Sequence, residues 1–253
     1  MIRKGIISIL TTILVAAAVY ADGNESLFAL ANQKYSDGKY EEAIKSYNDI
    51  LASGYTSGAL LYNLGNAYYK QNELTLAIPN YERALLLSPG DDDIKYNLDI
   101  ANQLVVDKID ALPEFFLSKW IKQLRMGLSP GQWGKLSLIF FMLACISILL
   151  FFFLRRRFFR KLFLVAGVIT ILFSGSTLLF GWEQNKRLTD RNTAIIFSSS
   201  VTAKSSPDES GTDLFVLHEG VKVWITDQLN GWLEIQLSDG NKAWITENSL
   251  ERI

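Results

Sequence analysis

The chain holds one cysteine and one histidine among its 253 residues, and those are the side chains most often used for metal binding and nucleophilic catalysis. Cys145 lies inside a long apolar run, so no disulfide forms within the chain and a thiolate metal site has no second sulfur. With only three methionines in addition, the chain offers little material for a thiol-based oxygen sensor. His218 has no serine or cysteine motif beside it, which leaves no nucleophile–base pair. Gly-rich phosphate loops, zinc-ligand spacings and metal-carboxylate motifs are also missing. Asp91-Asp92-Asp93 reads as the capped start of a helix rather than as a metal cluster. Charge of either sign is scarce in net terms, at -1, and no basic face of the kind that binds nucleic acid stands out. The chain therefore reads as non-catalytic, with no cofactor implied.

Apolar sequence is abundant, and it is concentrated in three runs. Leu136–Leu154 and Leu162–Phe180 contain no acidic or basic side chain. At ~1.5 Å of rise per residue, each is long enough as a helix to cross a ~30 Å hydrocarbon layer. The 155–161 connection carries Arg155, Arg156, Arg157, Arg160 and Lys161, and short cation-rich loops stay on the cytoplasmic side. Both flanking segments are then expected outside the cytoplasm. Lys119, Lys122, Arg125 and Lys135 are a weaker, dispersed counter-signal. The third run, Ile6–Val19, follows Arg3 and Lys4 and ends in Val19-Tyr20-Ala21, the pattern of a signal peptide spanning 1–21. Left uncleaved it becomes a third span, with the same topology. Without charge inside the spans, ion conduction and transport are not expected. Gly167 and Gly175-Ser176 are the candidates for close packing between the spans.

Residues 22–108 repeat internally. Ala31 aligns with Gly65, Ala43 with Ala77 and Tyr47 with Tyr81, each at an offset of 34 residues. With Leu64-Gly65, Tyr68, Ala77, Tyr81, Ala84-Leu85 and Pro89, the second copy closely resembles the tetratricopeptide repeat. The first departs from it at Lys34 and lacks the closing proline. Small residues let antiparallel helices approach, and Leu64, Tyr68, Tyr81 and Tyr47 fill the gaps. Pro89 ends a helix at Leu87, and a third helix is expected over 94–106. The resemblance implies a partner-binding concave face carrying Phe28, Asn32, Tyr35, Tyr62, Asn63, Asn66, Tyr69, Tyr96 and Asn97, although some of these aromatics can equally pack between repeats. A subclass of the family clamps a partner's terminal carboxylate. Asn32 and Asn63 match its asparagines, but Phe28, Asp93 and Asn97 replace its cations, which disfavours that mode.

Over 109–135, Phe116, Trp120, Leu124 and Leu128 recur every fourth residue, with Lys119, Lys122 and Arg125 on other faces. This pattern suits a helix lying in the membrane interface, or a strut packed beneath the repeats. Trp133 and Trp182 are placed to mark the interface at the two spans. Residues 181–192 read as a linker. From 193 to 253 the period changes to short alternating runs separated by Glu219-Gly220, Asn230-Gly231 and Asp239-Gly240, the last a strong hairpin signal. Leu214–Leu217, Gly231-Trp232, Glu234-Ile235, Asp239-Gly240, Trp244-Ile245 and Leu250 resemble the bacterial SH3-like domain. That resemblance implies a small half-open barrel that binds peptidoglycan or peptides, or holds assemblies together. Trp232 and Trp244 are its candidate ligand groove, at positions the family also uses as core.

The fold class expected is a multidomain membrane protein: an all-α tetratricopeptide repeat domain, two transmembrane helices and a small all-β SH3-like barrel. With Leu112-Pro113-Glu114-Phe115-Phe116 and Leu128–Trp133, the whole order resembles the BatE-type aerotolerance-operon proteins of Bacteroidota. The resemblance implies a scaffold in the bacterial cell envelope, at the cytoplasmic (inner) membrane with both soluble domains periplasmic. Implied partners are von Willebrand A domain membrane proteins and, indirectly, a MoxR-type ATPase. The alternative is a membrane-tethered module that binds peptidoglycan through the SH3-like segment.

Overall fold

The computed structural model describes residues 24–113, 115–190 and 192–253; the signal peptide expected over 1–21 lies outside them. The described chain begins in helix α1, whose described part covers 24–36. Then come α2 (Tyr40–Ala52), α3 (Gly58–Lys70), α4 (Leu74–Leu87) and α5 (Asp92–Leu104). Local chemistry sets the boundaries. Ser57 caps α3 by accepting from the Leu60 amide, and Asp91 caps α5 by accepting from Asp93 and Ile94. The turns after α1 and α3 both pass through the left-handed region, at Gly38 (φ 76°) and Asn72 (φ 62°). These residues are 34 apart, so the repeat conserves backbone shape even where the residue type changes. Gly65 explains why the alignment places small residues there: a β-carbon would lie 2.8 Å from the Tyr81 ring.

Helix α6 (Phe116–Met126) precedes a long hairpin of α7 (Pro130–Phe153) and α8 (Arg157–Thr189). Both hairpin helices are long and apolar enough to cross a membrane. The turn between them is tighter than the 155–161 loop read from sequence, because α8 already begins at Arg157. Two serines join the helices reciprocally: Ser137 Oγ donates to the Ser174 carbonyl (2.9 Å) and Ser174 Oγ to the Ser137 carbonyl (3.0 Å). Close approach occurs at Gly167, against Ser147, and at Gly181, against Trp133. Gly175 has open space around it, and Ser176 bonds back to Leu172 of its own helix, so that pair plays no part in the contact. The 181–192 stretch is not a loose linker, since α8 continues unbroken through Thr189.

The chain then forms β1 (Thr193–Ile196), β2 (Ser200–Lys204), β3 (Asp213–His218), β4 (Lys222–Leu229), β5 (Trp232–Gln236), β6 (Lys242–Thr246) and β7 (Leu250–Arg252). They make one antiparallel sheet in the order β3-β2-β6-β5-β4-β1-β7, whose edges β3 and β7 do not close on each other. Positive φ at Asn230, Gly231 and Gly240 forms the two hairpin turns expected from sequence. β2 escaped the sequence reading because its serine-rich start resembles a loop and only Ala203 is buried.

The repeats and the sheet share one core, where the sequence reading expects two. Ala77, Ile78 and Tyr81 of α4 and Leu98, Ala101 and Val105 at α5 join Ala194, Ile195, Val223, Leu233, Ile235 and Ile245 in a single cluster. Polar pairs rim it. Lys222 Nζ meets Glu82 at 2.6 Å, Arg83 meets Glu251 at 2.6 Å, and Thr75 donates to Glu219 at 2.8 Å. The segment after α5 is strapped along the sheet: Asp107 accepts from the His218 amide (2.7 Å), and the Leu112 amide donates to the Ser238 carbonyl (3.0 Å). Glu82 is the buried member of these pairs. Lys222→Ala leaves its carboxylate unpaired, and a loss of about 1–3 kcal/mol is expected. Arg83→Ala, at a half-exposed pair, is expected to cost less than about 1 kcal/mol. Denaturant unfolding of the two variants in one detergent measures the difference.

Candidate functional site

A polar ladder runs through the repeats with the repeat's own period. In the first rung, Asn32 Oδ1 accepts from Tyr47 (2.8 Å) and from Asn63 Nδ2 (2.8 Å). In the second, Asn66 Oδ1 accepts from Tyr81 (2.8 Å) and from Asn97 Nδ2 (2.7 Å). Each residue of the second rung lies 34 positions after its counterpart. Asn97 also donates to the Tyr62 phenol at 3.0 Å. A buried tyrosine hydroxyl needs a partner, and the helix–helix packing of a repeat buries Tyr47 and Tyr81 almost completely. The asparagine carbonyls satisfy those phenols and at the same time fix the spacing of α1, α3 and α5.

Above the second rung lies a cleft of about 290 Å³, lined by Tyr35, Tyr62, Asn66, Tyr69, Lys70, Tyr81, Asn97 and Ile100. Five of the nine residues read from sequence meet there: Tyr35, Tyr62, Asn66, Tyr69 and Asn97. Phe28 is half-buried and packs against Tyr47 with ring centroids 6.1 Å apart. Asn32 and Asn63 form the neighbouring rung and do not line the cleft, while Tyr96 stands 65% exposed away from it. Three lining residues were not in the sequence set. Tyr81 enters the sequence reading only as a gap filler, Lys70 lies inside the repeat but not at a groove position that the resemblance implies, and Ile100 lies beyond the second copy. The helical period offered a signal for Ile100, which sits three residues after Asn97 on the same face.

Among the described residues no acidic side chain lines the cleft, and Lys70 is the one cation that does. Burial, assisted by the nearby Tyr35, pushes the Tyr47 phenol up to about 12. Burial raises Tyr81 as well, reinforced by Tyr62, Tyr35 and Tyr69, and raises Tyr35, reinforced by Tyr40 and Tyr62. These phenols stay protonated at neutral pH, and Tyr47 and Tyr81 commit their hydroxyl hydrogens to Asn32 and Asn66. The cleft itself presents the phenols of Tyr35, Tyr62 and Tyr69, their aromatic faces and Lys70. Among the described residues no group of three His, Cys, Asp or Glu side chains is placed to hold a metal ion.

The sheet offers a second aromatic surface. Leu233, Ile235, Ala243 and Ile245 point into the core, so alternation sends Trp232, Glu234, Trp244 and Thr246 to the opposite face. Both tryptophans are half-exposed there and lie outside the core cluster. Glu234 on the same face bonds Thr226 and Lys242, and those two bonds hold its carboxyl below the ordinary value. His218, on edge strand β3, pairs with Asp107 at 2.9 Å.

The family model of the tetratricopeptide repeat matches residues 59–91, which cover α3, α4 and the cap of α5. Repeats of this kind are protein-interaction scaffolds, and the match takes in Tyr62, Asn66, Tyr69, Lys70 and Tyr81 of the cleft. No curated protein matches the chain.

The raised phenols carry a pH signature. Tyr47 keeps its proton to about pH 12 in the fold but loses it near 10 when unfolded. Its contribution is therefore fully present below pH 10 and is lost as pH rises toward 12. Thermal melts from pH 9 to 12 are expected to fall less steeply for Tyr47→Phe than for the native chain. At neutral pH that variant loses about 1 kcal/mol with its hydrogen bond.

Proposed function

We propose that this chain is a non-catalytic, membrane-anchored scaffold whose repeat domain grips an extracytoplasmic segment of a partner membrane protein. The observation that carries this reading is the tyrosine–asparagine cleft, built on a matched protein-interaction repeat in a chain that also carries two long apolar helices. The cleft's neutral donors and single cation suit a peptide segment rather than a charged small molecule. Family resemblance adds that the segment belongs to a von Willebrand A domain membrane protein that works with a MoxR-type ATPase in aerotolerance. A second reading rests on the outward-facing Trp232 and Trp244, an aromatic face of the kind that stacks on wall saccharide or peptide.

Co-purification in mild detergent, comparing the native chain with Tyr69→Ala/Lys70→Glu, tests the cleft. This pair lines it without belonging to the hydrogen-bonded rungs. Loss of membrane partners from a folded variant is the expected result. Unchanged recovery removes the cleft from the account, and enrichment of the native chain on purified wall sacculi, lost with Trp232→Ala/Trp244→Ala, favours the second reading instead.

The same proposal places the repeats and sheet outside the inner membrane, with Arg155, Arg156, Arg157, Arg160 and Lys161 in the cytoplasm. On a Cys145→Ser background, Ser36→Cys and Asn248→Cys are expected to react with an impermeant thiol reagent once the outer membrane is opened. Phe158→Cys is expected to react only after lysis. The reverse pattern overturns the orientation, and the partner class with it.

A further inference from the structure

Helix α6 carries a stripe of exposed apolar side chains outside the hairpin, covered among the described residues only by Phe115 packed on Phe116, with ring centroids 4.6 Å apart, and by partial packing of its other members. Phe116, Leu117, Trp120, Ile121 and Leu124 fall at i, i+1, i+4, i+5 and i+8, a single stripe on a helix. All five are exposed, Phe116 at 74% and Trp120 at 59%. Ser118, Lys119, Lys122 and Gln123 fill the opposite side, and the helix contains no acidic residue. A strut beneath the repeats would bury this stripe, and the structure leaves it open.

The carboxy end of α6 is fixed, and the fixing sets its level. The Arg125 carbonyl accepts from Trp133 Nε1 (2.9 Å), in the first turn of α7, and from Gln184 Nε2 (2.7 Å) on α8. Its guanidinium pairs with the Glu183 carboxylate, and the residue is 8% exposed. Trp133 is therefore a buried clamp at 5% exposure rather than an interfacial anchor. Trp182, one residue before Glu183, is exposed, with Lys186 Nζ 5.9 Å from its ring. Exposed tryptophan with a cation at the end of an apolar helix marks the headgroup layer. From the other side, a β-carbon at Gly90 would lie 2.8 Å from the Gly127 carbonyl oxygen, so the α4–α5 turn sits on the end of α6.

We propose that α6 lies in the outer-leaflet interface of the bilayer that α7 and α8 cross, its apolar stripe among the upper acyl chains and its lysines among anionic headgroups. This rests on the reading that α7 and α8 span a membrane. Two observations favour lipid over a protein partner. The helix is clamped through Arg125 to the ends of α7 and α8 that carry Trp133 and the exposed Trp182. Its own charged side chains are all basic, complementary to anionic lipid. Held there, α6 adds a membrane contact beside the hairpin, which limits the tilt of the outer module.

Spin labels on the full chain test the proposal, each on a Cys145→Ser background in vesicles of zwitterionic and anionic phospholipid. Trp120→Cys reports the stripe, Gln123→Cys the polar face, and Leu149→Cys the exposed side of α7 as a control for spanning. The expected result is that Trp120→Cys collides preferentially with oxygen, at a depth of about 5–10 Å below the headgroups, while Gln123→Cys collides with an aqueous nickel chelate. Lys119→Glu is expected to move the Trp120→Cys label toward water in anionic vesicles. Aqueous accessibility at Trp120→Cys with a lipid-accessible Leu149→Cys overturns the proposal alone. Aqueous accessibility at both overturns the spanning reading and the proposal with it. Shielding of Trp120→Cys from both reagents, or broadening that grows with the protein-to-lipid ratio, assigns the stripe to a protein partner or a second copy and also overturns it.

Discussion

A β-carbon at Gly220 would sit 2.9 Å from Val105 and 3.2 Å from Ile78, so closely does the sheet approach the repeats. Gly220 also has φ +88°, a conformation that L side chains rarely adopt. Two small units, each with limited apolar surface, here bury their faces against each other rather than against separate interiors. A helical stack of only five helices, α1 to α5, is near the minimum for stability. The sheet supplies what a further repeat would otherwise supply, covering the α4 and α5 surfaces. The ion pairs at Glu82 and Arg83, and the strap through Asp107 and Leu112, fix the register of that contact more than its strength.

The cleft inherits its rigidity from that contact. Tyr81 belongs both to the shared core and to the second rung, where it donates to Asn66. Its position is set from below by the sheet-facing core and from above by Asn66 and Asn97. The cleft is therefore preformed, which would lower the ordering cost of any segment bound there. The first rung, at Asn32, Tyr47 and Asn63, repeats the arrangement one period earlier within its own small core.

Much of this was legible from the residues. The 34-residue offset identified the repeat, the caps and Pro89 placed the helix ends, and five cleft residues are among those that the resemblance to the tetratricopeptide repeat implies. Lys70 and Ile100 were missed because lining depends on the curvature of stacked helices rather than on alignment. Asn32 and Asn63 were read as groove residues because a polar side chain on an inner helix looks the same whether it meets a ligand or a buried phenol. The shared core was illegible for a related reason: α4 and the inner strands have ordinary half-buried patterns, and a pattern states that a face is covered without saying by what. Trp133 shows the limit at single residues. A tryptophan at the mouth of a span fits an interfacial belt, and only the nearby Arg125 carbonyl reveals a clamp.

Helix α8 runs 33 residues without a break, about 50 Å at the helical rise, and the sheet begins four residues after it ends. In a membrane, a helix of that length tilts to match a thinner or thicker hydrocarbon layer. Because the repeats and the sheet share one core, a tilt carried past Thr189 would reorient the sheet, the repeats and the cleft together.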